Sequence, residues 1–333
     1  MKGRKLKKGA FVNLVAISLA LFFIGCQAKE EPSTSRPGGR IAFVAGLGQT
    51  VELWEVEANG QEATRLPTPP RPEKEPDRGF HGETFPGPAR TYPNNPAWSP
   101  DGTRIAFELG GMSFSEIWVM KADGREPKRL TSPTWGASFQ PKWSPDGKKL
   151  AFALFSFKNK QHDIFVMDAD GRNLTNLTRT IKTDENFPAW SPDGKKILFS
   201  STDQKHPGIW IMDADGGNRL PLIPARKGTN AAGSWSPDGK KIVYTSNQNG
   251  NWDIWVMDLE EKKSVNLTAD WPEDETDPIW SPDGTAILFV SRRGDRHWQL
   301  WIMGADGRGR RLFYGIDDPP KGFNKYQPAW SPQ

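Results

Sequence analysis

The chain has 333 residues, 36% of them apolar and 25% charged. That length suits one large domain or two ordinary ones, and the apolar share is enough to bury a core, which excludes global disorder. The formal charge of +4 sits at the N-terminus: Lys2, Arg4, Lys5, Lys7 and Lys8 fall within the first 25 residues without an acid, and the remainder nets −1. An electrostatic case for a nucleic-acid partner is thereby removed.

In chain order, the basic segment "MKGRKLKKG" leads into the apolar run "AFVNLVAISLALFFIG", residues 10–25. The run is short for a membrane-spanning helix, which needs about 20 residues, and it has the order of an export signal. It ends in "FIGC", and Cys26 is the only cysteine of the chain. These four residues resemble a bacterial lipobox, with Phe23 in place of the usual Leu. The resemblance implies cleavage before Cys26 and its lipidation. Gln27, rather than Asp, after the cysteine implies a place at the outer membrane facing the periplasm. With one cysteine there is no internal disulfide, so stability must come from packing. The polar stretch "AKEEPSTSRPGG" then reads as a tether. The expected organisation is a signal peptide over 1–25, a lipidated cysteine and flexible tether over 26–39, and a folded domain over 40–333.

The folded part is built on a repeat. "PAWSPDGTRIAF" begins at Pro96, and related segments begin at Pro141, Pro188, Gly233 and Pro278. The Trp residues are Trp98, Trp143, Trp190, Trp235, Trp280 and Trp330, spaced by 45, 47, 45, 45 and 50 residues. Periods of this size mark repeat architectures, among them the four-stranded blades of propellers. Within each unit "PxWS" reads as a short first strand. "PDG" supplies turn chemistry, Pro presetting φ and Gly accepting positive φ. "KKIAF"-type residues form a second strand. A third is centred on Trp54, Trp118, Phe165, Trp210, Trp255 or Trp301. "ADG" turns the chain into a fourth, "RLT" or "NLT". Short strands bounded by Gly, Pro and Asp argue for antiparallel sheet. The repeat absorbs eleven of the fifteen tryptophans, and their expected role is to fill the space between adjacent sheets.

This pattern resembles the TolB-type propeller repeats, relatives of the WD-repeat propellers, over roughly residues 40–333. The resemblance implies an all-β, six-bladed β-propeller of four-stranded antiparallel blades in the cell envelope. The chain departs from TolB in having no room for an α/β domain between Cys26 and Ile41. The first unit, from Arg40, lacks a "WSP" strand, and the last, "YQPAWSPQ", has little after it. The two halves are expected to make one blade, with Gly38 and Gly39 near its turn, closing the ring without an open sheet edge.

Catalytic signatures are sparse: there is no "GxSxG", "HExxH", P-loop or paired-cysteine motif. No catalytic residue, metal site or cofactor is expected. His162, His206 and His297 precede third strands of different blades and read as exposed loop histidines. "DADG" at Asp168 and Asp213 reads as a hairpin turn rather than a calcium loop. Acids of "PEDETD" and "TDEN" lie where innermost strands start and are the groups placed to hold a cation near the pore, although a solvated rim is the simpler reading. The tight turns fall on one face of a propeller, here called the turn face. The loops between second and third strands and between blades fall on the other, the mouth face, and variable loops on a rigid scaffold commonly carry function. Candidate ligand- or partner-binding residues are Trp135, Trp252, Trp271 and Trp298, which the repeat leaves unexplained, and His81, Phe85 and Tyr92 of the Pro-rich segment 69–94. The expected function is recognition of an envelope protein, peptide or glycan by a lipid-anchored monomer. The alternative is a propeller enzyme, a glycan lyase or hydrolase, using acids and His81 around the mouth-face pore.

Overall fold

The computed structural model describes residues 39–47, 50–60, 63–69, 92–110, 114–180, 182–292, 298–314 and 327–332. In chain order the first strands are β1 (Arg40–Leu47), β2 (Thr50–Glu57) and β3 (Thr64–Leu66). Next come β4 (Tyr92–Trp98), β5 (Arg104–Gly110), β6 (Ser115–Lys121) and β7 (Lys128–Arg129). β8 (Ala137–Trp143), β9 (Lys149–Ser156), β10 (Gln161–Asp168) and β11 (Thr175–Asn176) follow. Then come β12 (Glu185–Trp190), β13 (Lys196–Ser201), β14 (Gly208–Asp213) and β15 (Leu220–Pro224). β16 (Asn230–Trp235), β17 (Lys241–Ser246), β18 (Asp253–Asp258) and β19 (Lys263–Asn266) make the next group. The last are β20 (Glu275–Trp280), β21 (Ala286–Ser291), β22 (Gln299–Gly304), β23 (Arg311–Tyr314) and β24 (Ala329–Trp330).

They assemble into six four-stranded antiparallel sheets, five of them consecutive in sequence and the sixth ordered β24-β1-β2-β3. The innermost strands touch in sequence order, β4 to β8 to β12 to β16 to β20, and β24 lies between β20 and β4. The molecule is therefore a closed six-bladed propeller. No helix among the described residues is long and apolar enough to cross a membrane.

The strands form where they do because both faces of each blade are covered, so inner strands carry near-continuous apolar runs. Alternation still divides the work. In β9, Leu150, Phe152 and Leu154 pack toward the preceding blade, while Ala151 and Ala153 pack toward the following one. The core is thus six separate wedges, one at each blade junction. Each blade also carries one cross-strand aromatic pair between its second and third strands: Phe43–Trp54, Phe107–Trp118, Phe152–Phe165, Phe199–Trp210, Tyr244–Trp255 and Phe289–Trp301. Such pairs are the sheet's counterpart of neighbouring helix side chains and hold the two strands in register. The "WSP" tryptophans fill the junctions as expected. Trp143 also donates its indole N–H to Ala97 O of the preceding blade at 3.1 Å.

The turn after each inner strand repeats one hydrogen-bond pattern. Ser144 Oγ donates to Asp146 Oδ1 at 2.6 Å and accepts from Lys149 N at 2.9 Å. Gly147 takes φ 68°, and its N–H donates to Ser144 O at 2.9 Å. The split blade reproduces this pattern across the ends of the chain. Arg40 N donates to Ser331 Oγ at 2.7 Å, Ser331 N to Arg40 O at 2.7 Å, and Ile41 pairs with Trp330. Gly39, at φ 103°, passes Ser331 so closely that a Cβ would lie 2.9 Å from its Oγ.

Candidate functional site

Each of β4, β8, β12, β16 and β20 has a register shift at the same place. The residue there takes positive φ: Asn95 44°, Gln140 57°, Phe187 56°, Ala232 53° and Asp277 52°. A bulge of this kind re-aims a side chain and bends the strand. These residues, with Gln327, line a central channel of about 330 Å³. A second ring lies two residues further along each strand: Ala97, Lys142, Ala189, Ser234, Ile279 and Ala329. The bulge ring is tied around part of the axis. Asn95 N donates to Gln327 Oε1 at 2.8 Å, Phe187 N to Gln140 Oε1 at 2.8 Å, and both Asn95 Nδ2 and Gln140 N donate to Glu108 Oε1. The remaining walls are largely apolar, with Ser234 and Asp277 as further polar groups, and Lys142 is the one cation among the described lining residues. Burial lowers the pKa of its ammonium, while the carboxylates of Asp277 and Glu108 pull it back up.

The mouth face also holds buried acids at the blade junctions. Asp163 accepts from Asn176 Nδ2 at 2.8 Å and Thr180 N at 3.1 Å. Thr180 Oγ1 bridges Asp163 at 3.0 Å and Glu185 at 2.6 Å. Two blades on, Asn266 Nδ2 meets Asp253 Oδ2 at 2.7 Å and Ser291 Oγ meets Glu275 Oε1 at 3.1 Å. There Asp270 stands in the place of Thr180 and turns outward to Arg310 Nη1 at 2.6 Å. Burial raises the carboxyls of Glu185 and Asp253, and pushes Glu275 up to about 8. The acids of "PEDETD" and "TDEN" are thus divided. Glu185 and Glu275 are buried at the starts of β12 and β20, whereas Asp277 lines the channel. The "DADG" segments are hairpin turns, with Gly171 N on Asp168 O and Gly216 N on Asp213 O, both at 2.9 Å.

Of the four tryptophans outside the repeat, Trp135 alone is more than one-third exposed, at 39%, in the loop between β7 and β8. Trp271 is 8% exposed and belongs to the core between the fifth and sixth blades. It meets Trp301 edge-on at 5.1 Å and lies under the Arg310 guanidinium at 5.3 Å. Its position is that of a packing residue rather than of a binding surface. Trp298 is half-buried against the junction of the sixth and first blades, under Arg292. Trp252 is half-buried, its backbone N–H on Asp274 Oδ1 at 3.1 Å. Tyr92 opens β4 and is half-buried. Cys26, His81, Phe85 and His297 lie outside the described residues.

His162 differs from the expected exposed loop histidine. It lies within β10, half-buried, with Nδ1 2.8 Å from Asp184 Oδ1. Its ring packs on Phe155 at 4.9 Å and on Phe139 at 5.6 Å, and Phe155 meets Phe157 edge-on at 5.8 Å. Phe157 is 43% exposed. The third blade therefore presents Phe157 at the mouth face over Phe155, His162 and Phe139, with the exposed Trp135 in the loop that enters the same blade beside Phe155. The sequence signal for this cluster is "FSF", residues 155–157, at the end of a second strand where the matching positions of the other blades carry no aromatic.

The comparisons agree on the fold and family. The TolB beta propeller domain profile matches residues 132–333. The crystal structure of TolB from Acinetobacter baumannii is similar over 89% of this chain and 67% of that one, at 25% identity and TM-score 0.67. The structure of a putative TolB from Agrobacterium tumefaciens is similar over 89% of this chain and 99% of that one, at 18% identity and TM-score 0.61. A Tol-Pal system protein TolB of Anaeromyxobacter dehalogenans is 44% identical over 45 residues, which spans 10% of that relative's length. Six blades, the ring closed by β24, and a profile match over more than half of the sequence place this chain in the TolB β-propeller domain family.

Proposed function

We propose that this chain is a lipid-anchored, non-catalytic binding protein of the cell envelope that holds a protein partner on the mouth face of its propeller. The observation that carries this reading is the aromatic cluster of the third blade. Trp135 and Phe157 expose 39% and 43% of their surface, whereas Trp252, Trp271, Trp298 and Tyr92 are half-buried or buried. Large aromatics held on a rigid support lose little entropy on binding and are the usual anchors of protein interfaces. The envelope location rests on the lipobox resemblance at Cys26, on Gln27, and on relatives named as Tol-Pal system proteins.

Two variants test it. Cys26→Ser releases the protein from the membrane fraction if the anchor is lipid, and an unmodified Cys26 in the mature protein contradicts the anchor. The double variant Trp135→Ala, Phe157→Ala melts like wild type but recovers fewer envelope proteins after cross-linking in the native cell. An unchanged recovered set contradicts the mouth-face reading.

A further inference from the structure

The channel carries an asymmetry that the repeat does not require. At the position two residues past the bulge, five blades place Ala, Ala, Ser, Ile and Ala, and the third blade places Lys142. Among the described residues the Lys142 side chain has no hydrogen-bond or ion-pair partner, although the carboxylates of Asp277 and Glu108 act on its charge from a distance. Asp277 is the one acid among the described residues lining the same channel, and its Oδ2 accepts from Thr276 Oγ1 at 3.1 Å. It comes from the sixth blade, three steps around the ring from the third, so the two charges stand on opposite walls. Lys142 is also one layer deeper than the bulge ring that holds Asp277. Two residues along a strand separate the layers by about 6–7 Å. An ammonium and a carboxylate thus face each other obliquely across a cavity whose remaining described lining is Trp, Pro, Phe, Ile, Ala, Gly, one Ser and neutral amides.

We propose that the central channel binds a short zwitterionic peptide of two or three residues, its C-terminal carboxylate on Lys142 and its N-terminal ammonium on Asp277. A ligand bearing only a carboxylate would bring a like charge toward Asp277. One bearing only an ammonium would leave Lys142 unpaired in a site that already disfavours its charge. A ligand with both ends brings an opposite charge to each wall, and its mid-section meets largely apolar surface. The length fits, because an extended residue spans about 3.3–3.6 Å, so two or three residues bridge the diagonal between the layers. The volume fits as well, 330 Å³ lying near the small end of the range for ligand pockets, about 300–1,000 Å³. The site is separate from the aromatic cluster, so it stands or falls independently of the protein partner proposed above.

The test uses the full chain purified in mild detergent and four forms of Ala-Ala-Ala: free, N-acetylated, C-amidated, and capped at both ends. Calorimetry is expected to show the free tripeptide binding about ten- to hundredfold more tightly than either singly capped form, because each cap removes one charged hydrogen bond. Lys142→Gln removes the penalty for C-amidation and keeps that for acetylation. Asp277→Asn does the reverse. On the wild-type chain, selective lysine labelling shows one side-chain resonance shifting with the free tripeptide and unmoved by the C-amide, which keeps the test valid if a variant fails to fold. Equal affinity of free and doubly capped forms, dependence on one end only, or no binding at millimolar concentration overturns the proposal.

Discussion

The two faces of the propeller treat carboxyl groups in opposite ways. On the turn face, Asp101, Asp146, Asp193 and Asp238 each accept a serine hydroxyl at 2.6 Å and a backbone N–H near it. Those bonds hold the carboxylates below their usual range, Asp101 at about 2, with the serine hydrogen bond the largest cause. On the mouth face, burial pushes Glu185, Asp253 and Glu275 the other way. The difference teaches where the sequence spends its regularity. The turn face is a solved local problem repeated blade after blade, with each donor and acceptor used at home. The mouth face carries what varies: desolvated acids and exposed aromatics.

Both faces depend on the ring, so the largest effect comes from opening it. Removing residues 327–333 takes away β24, leaves the inner edge of β1 without its partner, and strips the Ser331–Arg40 link. The expected loss is comparable with a domain's whole stability, about 5–15 kcal/mol, read as loss of soluble protein. A truncated chain that melts like wild type would separate the faces from the closure.

The opposite pKa shifts predict failure at opposite ends of the pH scale. Glu275 is raised to about 8 from 4.5, so the folded state holds its proton more tightly than the unfolded one. Its contribution is fully present below about pH 4.5 and is lost as pH rises through about 8. Asp101 is lowered to about 2 from 3.8, so its contribution is present above pH 3.8 and lost as pH falls through about 2. Glu275→Gln, which stays neutral, should flatten the decline of melting temperature between pH 5 and 9. At the alkaline end the gain should be about 1–3 kcal/mol over wild type. A parallel decline in both proteins would contradict the burial of an uncharged Glu275.

Smaller effects sharpen the contrast. Ser144→Ala should cost about 1–2 kcal/mol by urea titration, since the buried hydroxyl both donates to Asp146 and accepts from Lys149. Trp135→Ala, at an exposed loop position, should stay within about 0.5 kcal/mol. A reversal of that order would mean that the mouth-face aromatics hold the fold together.

The parts legible in the sequence were those fixed by neighbours in sequence. "PDG" and "ADG" dictate turns by their own φ preferences, and one aromatic per strand at a constant period forces blades and their number. The split blade was legible because the missing strand and the spare strand are the same motif. The rest depends on packing between blades. The bulge at Gln140 or Asp277 points a side chain into the channel, yet in sequence it is only the residue before the proline (or Gly233) of the "WSP" strand. Lys142 stands out only once the six inner strands are aligned on that bulge. Trp271 read as exposed because its cover, Trp301 and Arg310, comes from the next blade. His162 read as a loop residue because Asp184, which fixes it, lies in the following inter-blade segment.

The claim that the mouth face is the working surface is tested most directly within one blade. A photo-reactive phenylalanine analogue placed at Phe157 on the mouth face, or at Lys148 on the turn face, can be activated in the native cell. Both positions are exposed and flank the same strand, β9, one at each end, so expression and anchoring are shared. A discrete protein adduct from position 157 with none from position 148 is the predicted result. An adduct from position 148 alone, or equal adducts from both, would contradict it.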